Sequence, residues 1–238
     1  MSDITLAVPA PLRFFLPSRK RSAELQLSVD GTSTLGHVLA SVGIPRTEVG
    51  ELLVDGRLVD LGYQPRPGEQ ISIHPVAWPQ WAPTSPPRFL LDVHLGTLSR
   101  RMRLLGLDVA YDRHADDEAL LESSLSERRI LLTRDRSMLH RRVLRWGAHI
   151  NSQVPDQQLR EVLDRFTPPL QPWTRCPACN GSLIDVSKSD VQAHLLDGTR
   201  RCYERFRRCQ KCGHIYWRGA HGNRLQRIVD AATRPQGN

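Results

Sequence analysis

Two short apolar runs, each followed by an aspartate, constrain the fold of this chain more than any other feature. The first occupies residues 89–91 and precedes Asp92; the second occupies residues 130–133, with Asp135 two residues beyond it. Runs of this length, bounded by charged residues and separated by a helical pattern, are typical of buried strands in a parallel sheet. Residues just beyond the carboxyl ends of such strands line one edge of the sheet. We therefore expect Asp92 and Asp135 to lie at the same edge.

The surrounding residues, 88–169, alternate between strand and helix patterns. This alternation predicts a three-layer α/β domain with a parallel sheet. Further strands are expected at 108–111 and 148–150, and helices at 95–106, 119–128, 137–146 and 156–166.

Acidic residues in this domain are candidates for a divalent metal site. Two facing carboxylates repel one another unless a cation lies between them, and Mg²⁺ or Mn²⁺ needs few protein carboxylates. We assign Asp92, Asp117 and Asp135 to the site, with Glu118 as a fourth candidate. The alternative is structural: Asp116 caps a helix, and the two acids after it complement the helix dipole. For Asp92 and Asp135 the sequence indicates no obvious cap, which favours the metal.

Residues 1–77 predict a small roll of strands around one helix. A strand pair is expected at 12–16 and 23–29, and a helix at 34–42 between Thr34 as N-cap and Gly43 as its stop. Residues 52–59 read as a strand pair joined by an Asp-Gly turn, and residues 71–75 as the last strand. The order strand, strand, helix, strands is that of a ubiquitin-like roll.

A proline-rich stretch, residues 78–87, separates this roll from the α/β domain and predicts a stiff linker. The remaining residues, 170–238, hold 12 Lys and Arg against 5 Asp and Glu, whereas the chain as a whole carries a formal charge of +8. A basic excess concentrated in one segment indicates a polyanionic partner. No apolar run is long enough to cross a bilayer, and the acidic start is unlike a signal peptide, so we expect a cytoplasmic protein without a membrane partner.

Two Cys-x-x-Cys motifs, Cys176/Cys179 and Cys209/Cys212, give the most specific signal in the chain. Each motif turns two thiolates towards one point, and four thiolates complete a tetrahedral zinc site. A structural Zn²⁺ site in a zinc ribbon is favoured over redox chemistry, which needs only one such motif. His214 and His221 remain alternative ligands. The fifth cysteine, Cys202, reads as a buried or free thiol.

Arginines and aromatic residues alternate in the cysteine-rich tail, a pattern that suits RNA because unpaired bases stack on rings while phosphates pair with arginine. A second basic stretch surrounds Asp135 and would steer a phosphate backbone towards the acids. The alternative is a ribbon whose rings only pack internally and whose arginines are solvated. The candidate RNA-binding residues are Arg101, Arg134, Arg136, Arg141, Arg207, Arg208 and Trp217.

Several of these motifs together resemble a known family. They are Phe89-Leu90-Leu91-Asp92, Leu95-Gly96, Leu104-Leu105-Gly106, Asp117-Glu118 and Leu132-Thr133-Arg134-Asp135-Arg136. In combination with the cysteine tail they resemble the Mut-seven C-terminal RNase domain, a PIN-like ribonuclease domain with a zinc ribbon. The resemblance implies a PIN-type fold, acidic residues that bind divalent metal, and ribonuclease activity. PIN nucleases usually carry four acids, and Asn151 stands where the last of them is expected.

The N-terminal unit is similar to the ubiquitin-like domain that is often fused to this family and is related to bacterial sulfur-carrier proteins. The similarity is clearest at Pro67-Gly68-Glu69-Gln70-Ile71. A sulfur carrier ends in a free diglycine, whereas here the last strand runs on into the linker. Docking of a protein partner is therefore a better expectation for this unit than carrier chemistry.

The sequence thus predicts a metal-dependent ribonuclease that hydrolyses RNA at the acidic site, with the zinc ribbon aiding RNA binding. The alternative is a non-catalytic RNA-binding or adaptor protein that recruits a partner through its ubiquitin-like domain.

Overall fold

A computed structural model describes residues 2–217 and 226–230. The strands of these residues form three sheets, of five, four and three strands in chain order. Short 3-10 helices lie at Ser18–Lys20, Arg46–Glu48, Val93–Leu95 and Gln192–His194. Among the described residues, no helix has the length and apolar character that crossing a bilayer requires.

The first sheet has the strand order of the predicted ubiquitin-like roll. Its elements are β1 Ser2–Ala7, α1 Ala10–Arg13, β2 Glu24–Val29, α2 Leu35–Ser41, β3 Val49–Val54, β4 Arg57–Val59 and β5 Gln70–Pro75. The order across the sheet is β2-β1-β5-β3-β4, with β1 and β5 parallel at the centre and antiparallel pairs on either side. Apolar side chains on one face of the sheet pack against α2.

Helix α2 begins and ends where the sequence predicts. The hydroxyl of Thr34 accepts a hydrogen bond from His37 N and caps the helix. Gly43 follows it with φ +96°, and a Cβ at this position would lie 2.9 Å from the carbonyl oxygen of Phe15. Glycine is therefore needed both for the backbone conformation and for the close approach.

The predicted strand at residues 12–16 is wrong. Leu12, Phe15 and Leu16 are buried at helical rather than alternating spacing, and Pro11 stands in the first turn of α1, where its fixed φ suits a helix. The strand that pairs with β2 is β1, earlier in the chain.

The second sheet is entirely parallel. Its strands are β6 Arg88–Leu91, β7 Asp108–Tyr111, β8 Ile130–Thr133 and β9 Gly147–His149, and its helices are α3 Gly96–Leu104, α4 Asp117–Ser126, α5 Arg136–Leu139 and α6 Pro155–Phe166. The order β7-β6-β8-β9 puts β6 and β8 side by side, with Leu91 opposite Leu132. Both strands are buried, as predicted.

The two faces of this sheet belong to different hydrophobic cores. Phe89 and Leu91 point towards α3 and α6, whereas Leu90 points to the other face. The core on the second face includes Leu120 and Leu139 and is continuous with the core of the ubiquitin-like roll. Burial against the roll therefore replaces a full helical layer on part of this face.

The predicted basic helix at residues 137–146 is wrong in length. Helix α5 ends at Leu139, and turns carry the chain from there to β9. Both Leu139 and Leu144 are fully buried, and a spacing of five residues does not fall on one face of a helix. Burying both side chains therefore requires the helix to stop between them.

The third sheet is the small antiparallel ribbon that carries the cysteines. Its elements are β10 Leu183–Val186, α7 Lys188–Val191, α8 Asp197–Cys202, β11 Phe206–Cys209 and β12 Ile215–Trp217. Phe206 is fully buried with Val191 and Leu195, so this ring packs inside the ribbon.

A buried ion pair joins the roll to the parallel domain. Glu48 accepts a hydrogen bond from the backbone N of His149 at 2.7 Å and another from Arg165 Nη1 at 2.9 Å. Both charged side chains are buried, and burial raises the pKa of Glu48 while the guanidinium of Arg165 opposes the rise. Phe14 and Phe15 pack on the ring of His149 beside the pair. The roll is therefore fixed against β9 and α6.

Replacing Glu48 with alanine should lower the free energy of unfolding by about 3–5 kcal/mol, because the charge of Arg165 is then buried without its partner. Urea unfolding of the full chain measures this loss. The control is Glu51→Ala, an exposed residue of β3, which should change the free energy by less than about 0.5 kcal/mol. Similar small effects in both variants would contradict a stabilising role for the pair.

Candidate functional site

Asp92 and Asp135 lie at the carboxyl edge of the parallel sheet, beyond the neighbouring strands β6 and β8. Asp92 is 5 % exposed and accepts three hydrogen bonds, from the backbone N of His94, the hydroxyl of Thr133 and the backbone N of Arg134. Asp135 is exposed. The buried carboxylate is therefore held in one orientation by three donors, whereas that of Asp135 is open to solvent.

Both aspartates cap short helical segments, contrary to the expectation from the sequence. Asp92 caps the 3-10 helix that follows β6, through its bond to His94 N at 2.8 Å. Asp135 caps α5 by accepting a hydrogen bond from Ser137 N at 2.8 Å. The helices are only three and four residues long, too short for a periodic pattern to indicate them.

Thr133 links the two acidic positions and was not singled out from the sequence. Its hydroxyl donates to Asp92 Oδ2 and accepts a hydrogen bond from the backbone N of Asp135 at 2.9 Å. The side chain is fully buried. Its place at the end of the apolar run, directly before the acidic loop, is the signal that could have identified it.

Asp117 and Glu118 stand in the first turn of α4, where Asp116 is the predicted N-cap and accepts a hydrogen bond from Ala119 N. Both are exposed, and Glu118 forms an ion pair with Arg141 at 2.8 Å. In the described part of the chain, the acids are not gathered into a group of three within reach of one ion.

His149 and Asn151 complete the edge at β9. His149 Nδ1 lies 3.2 Å from Asn151 Oδ1, and Asn151 N donates to Glu161 Oε2 at 2.8 Å. Burial lowers the pKa of His149, and the guanidinium groups of Arg136 and Arg134 lower it further, against its hydrogen bonds to Asn151 and to the Arg134 backbone. These surroundings therefore favour the neutral form of the imidazole. Neither His149 nor Glu161 was predicted as a site residue.

The predicted basic residues near this edge have different partners. Arg101 pairs with Asp156, and Arg141 pairs with Glu118. The guanidinium of Arg136 stacks on Phe14 of the roll, 4.0 Å from the ring centroid, a favourable cation–π geometry. Arg134 Nε is buried and has no hydrogen-bond partner among the described residues.

Two of the three candidate RNA-binding residues of the ribbon line an open cavity of about 460 Å³. Arg207 lines it and pairs with Asp185 at 2.9 Å, and Trp217 lines it while remaining 36 % exposed. Arg208, on the same strand, is exposed. Trp217 therefore retains surface for stacking, whereas Phe206 is buried.

The four predicted cysteines converge on one point. Their sulfurs all lie within 4.8 Å of one another, and two of the pairs are separated by 3.8 Å (Cys176 and Cys212) and 3.4 Å (Cys179 and Cys209). A tetrahedron with Zn–S bonds of about 2.3 Å needs sulfurs about 3.8 Å apart. The cluster therefore fits zinc. His214 is not part of this cluster, and His221 lies outside the described residues.

One thiol of the cluster ionises more readily than an ordinary cysteine, whereas the pKa values of Cys179 and Cys212 are raised, mainly by burial and by the neighbouring thiols. Burial opposes ionisation of the Cys209 thiol, but the backbone N–H groups of Cys212 and Lys211 lower its pKa to about 7. Gly181 lets the loops approach, because a Cβ there would lie 2.9 Å from Cys209 Sγ. Cys202 is exposed and outside the cluster, so its interpretation as a free thiol holds.

Arg103 attaches this cluster to the parallel domain and was not predicted. Its buried side chain donates to the carbonyl oxygens of Val109, Pro177 and Ala178, at 2.9, 3.2 and 3.0 Å. The side-chain oxygen of Asn180 accepts a further hydrogen bond, from the backbone N of Val109. The loop with the first two cysteines is therefore bound to α3 and to the edge strand β7.

Replacing Cys209 with serine should reduce bound zinc from about one ion per chain to about none, because a hydroxyl is a poor fourth ligand in a thiolate site. Metal analysis of the purified chain measures this. Cys202→Ser removes a thiol from the same ribbon and should keep the ion. Loss of zinc in both variants, or in neither, would contradict the assigned ligand set.

Comparison with known families agrees with the geometry. The model of the Mut7-C RNAse domain matches residues 87–229, which span the parallel sheet and the ribbon, and the model of the Mut7-C ubiquitin domain matches residues 1–80. No curated protein and no solved structure matched the chain. The first match covers more than half of the 238 residues, and the chain therefore belongs to the Mut7-C RNAse domain family.

Proposed function

We propose that this chain is a metal-dependent ribonuclease that hydrolyses RNA phosphodiester bonds at the carboxyl edge of its parallel sheet. The observation that carries the proposal is the burial of Asp92 at that edge. Among the described residues no cationic side chain forms an ion pair with it. A buried carboxylate is costly unless it is paired or coordinates a metal. The family match supports a nuclease of this kind.

The donor atoms suit Mg²⁺ or Mn²⁺, which prefer carboxylate oxygen and keep several waters. A carboxylate has about four acceptor sites, and Asp92 uses three of them within the described residues. We propose that Asp92, Asp117 and Asp135 bind the ion. The two exposed side chains would have to turn towards Asp92. Glu118 would be a fourth acid beside these ligands, and it forms an ion pair with Arg141.

When bound, such an ion polarises a phosphoryl oxygen and lowers the pKa of water. The chain's own groups would do the rest. Thr133 keeps Asp92 oriented, and Asn151 stands where a fourth acid is usual and would position water. Arg134 and Arg136, which flank Asp135, would balance the charge that develops on the phosphate.

RNA would extend beyond this edge. In this proposal Arg101, Arg207 and Arg208 contact phosphates, Trp217 stacks on a base, and the zinc ribbon thereby aids binding. We propose a cytoplasmic location, where reduced thiols favour zinc over disulfides.

One observation favours the alternative, an RNA-binding adaptor without catalysis. Asp92 and Asp135 already serve as caps. In that case the acids have a structural role, and the ubiquitin-like domain recruits a protein partner. The two proposals differ in whether RNA is cut.

Asp92→Asn and Asp135→Asn should each reduce the rate of RNA cleavage in Mn²⁺ or Mg²⁺ by more than the 10- to 100-fold that loss of an outer-shell partner costs. Cleavage of labelled single-stranded and structured RNAs measures this. Asp116→Asn is the matched control, because asparagine caps a helix about as well as aspartate.

Zinc content and thermal unfolding of each variant test whether the fold is retained. No cleavage of any RNA by the native chain in either metal, with RNA still bound, would overturn the nuclease proposal in favour of the adaptor. A loss of activity in Asp116→Asn equal to that in the other variants would remove the assignment of the metal ligands.

A further inference from the structure

A cleft of about 590 Å³ separates the ubiquitin-like roll from the parallel domain. The roll contributes His37 and Arg46 to its lining, and the parallel domain contributes His140 and Arg142. The volume lies within the roughly 300–1,000 Å³ typical of ligand sites, which occur preferentially at domain interfaces.

The charge of the cleft is of one sign. No Asp or Glu lines it. Arg46 donates a hydrogen bond to the carbonyl oxygen of Arg142 at 3.0 Å, which holds the first guanidinium in the cleft. Within residues 2–217 and 226–230, neither arginine pairs with a carboxylate. Asp60 lies two residues before the lining residue Gly62, and its Oδ1 accepts a hydrogen bond from the backbone N of Gly62.

Part of the cleft lining follows the proposed site closely along the chain. Asp135 caps α5, and the last residue of that helix, Leu139, lines the cleft together with His140. Four helical residues span about 6 Å. Arg136 is the first residue of this helix, and its guanidinium stacks on Phe14 of the roll. A basic segment that includes Arg136, His140 and Arg142 therefore follows Asp135 along the chain and reaches the cleft lining.

We infer that this cleft binds the sugar–phosphate backbone of the single-stranded RNA flanking the cleavage site, so that the ubiquitin-like domain forms part of the substrate channel. The inference rests on the proposed function for the identity of the ligand. Unpaired positive charge in a groove that follows the chain path from the acids suits a polyanionic strand, because such grooves track the backbone without reading its sequence. An acidic protein segment is the competing occupant.

Arg46→Ala/Arg142→Ala should weaken RNA binding about tenfold at low salt. It should also reduce the slope of log affinity against log salt by about 1.4, because each phosphate of a single strand that an arginine neutralises contributes about 0.7. Fluorescence anisotropy of a labelled single-stranded RNA, with the full chain and no added divalent ion, measures both. The control Arg19→Ala/Arg57→Ala removes two exposed charges from the same roll outside the cleft and should leave the slope unchanged.

Arg46→Lys separates charge from fold, because it keeps the positive charge and should keep most of the affinity. Photocrosslinking of 4-thiouridine RNA to the native chain should label peptides that contain Arg46 and Arg142. An unchanged slope in the cleft variant, an equal change in the control, or crosslinks confined to the ribbon would overturn the inference. Unchanged RNA binding with loss of binding to polyglutamate would assign the cleft to an acidic protein segment instead.

Failure of this inference is distinguishable from failure of the proposed function. Absent cleavage with the expected change in salt slope would remove the nuclease activity and leave the cleft as an RNA-binding surface. Cleavage with an unchanged salt slope would keep the nuclease activity and remove the cleft as an RNA-binding surface.

Discussion

The carboxylate of Glu48 joins the ubiquitin-like roll to the parallel domain through contacts between residues far apart in the sequence. It reaches from the ubiquitin-like roll to the backbone of His149 on β9 and to the side chain of Arg165 on α6. These contacts span about a hundred residues of chain, and they are buried, so their loss would leave unpaired polar groups in the interior. Because β9 ends at the acidic edge, the roll also positions the proposed site and forms one wall of the basic cleft.

Under the proposed function, the acidic edge combines two roles in one set of side chains. Asp92 and Asp135 cap the helical segments that follow their strands, and the hydroxyl of Thr133 links them. Capping does not exclude metal binding, because a carboxylate has more acceptor sites than a cap uses. Asp92 is buried and held by three hydrogen bonds, whereas Asp135 is exposed and its carboxylate accepts the cap bond from Ser137 N. A site of this form would be completed only when an ion attracts the exposed carboxylates.

The cysteine ribbon is part of the same unit. Arg103 of α3 binds two carbonyl oxygens of the first cysteine loop, and Asn180 bonds to the edge strand β7. The Asn180 contact satisfies a backbone N–H that would otherwise be unpaired at a sheet edge. Metal binding, which orders the ribbon loops, is therefore expected to stabilise the edge of the parallel domain as well.

The sequence by itself determined the elements that depend on local patterns. The apolar runs of β6 and β8, the capped helix at Thr34 and the paired cysteine motifs are all visible at short range, and the structure contains each of them. Local patterns failed at two places. At residues 12–16 an apolar run suggested a strand, but its side chains are buried at helical spacing. At residues 137–146 a basic run suggested one helix, but Leu139 and Leu144 are buried on either side of a turn. Only the tertiary structure decided that Glu48, Arg103 and His149 matter, and that the roll and the parallel domain share a cationic cleft. The physical reason is that these roles arise from partners far apart in the chain, which no spacing along the sequence records.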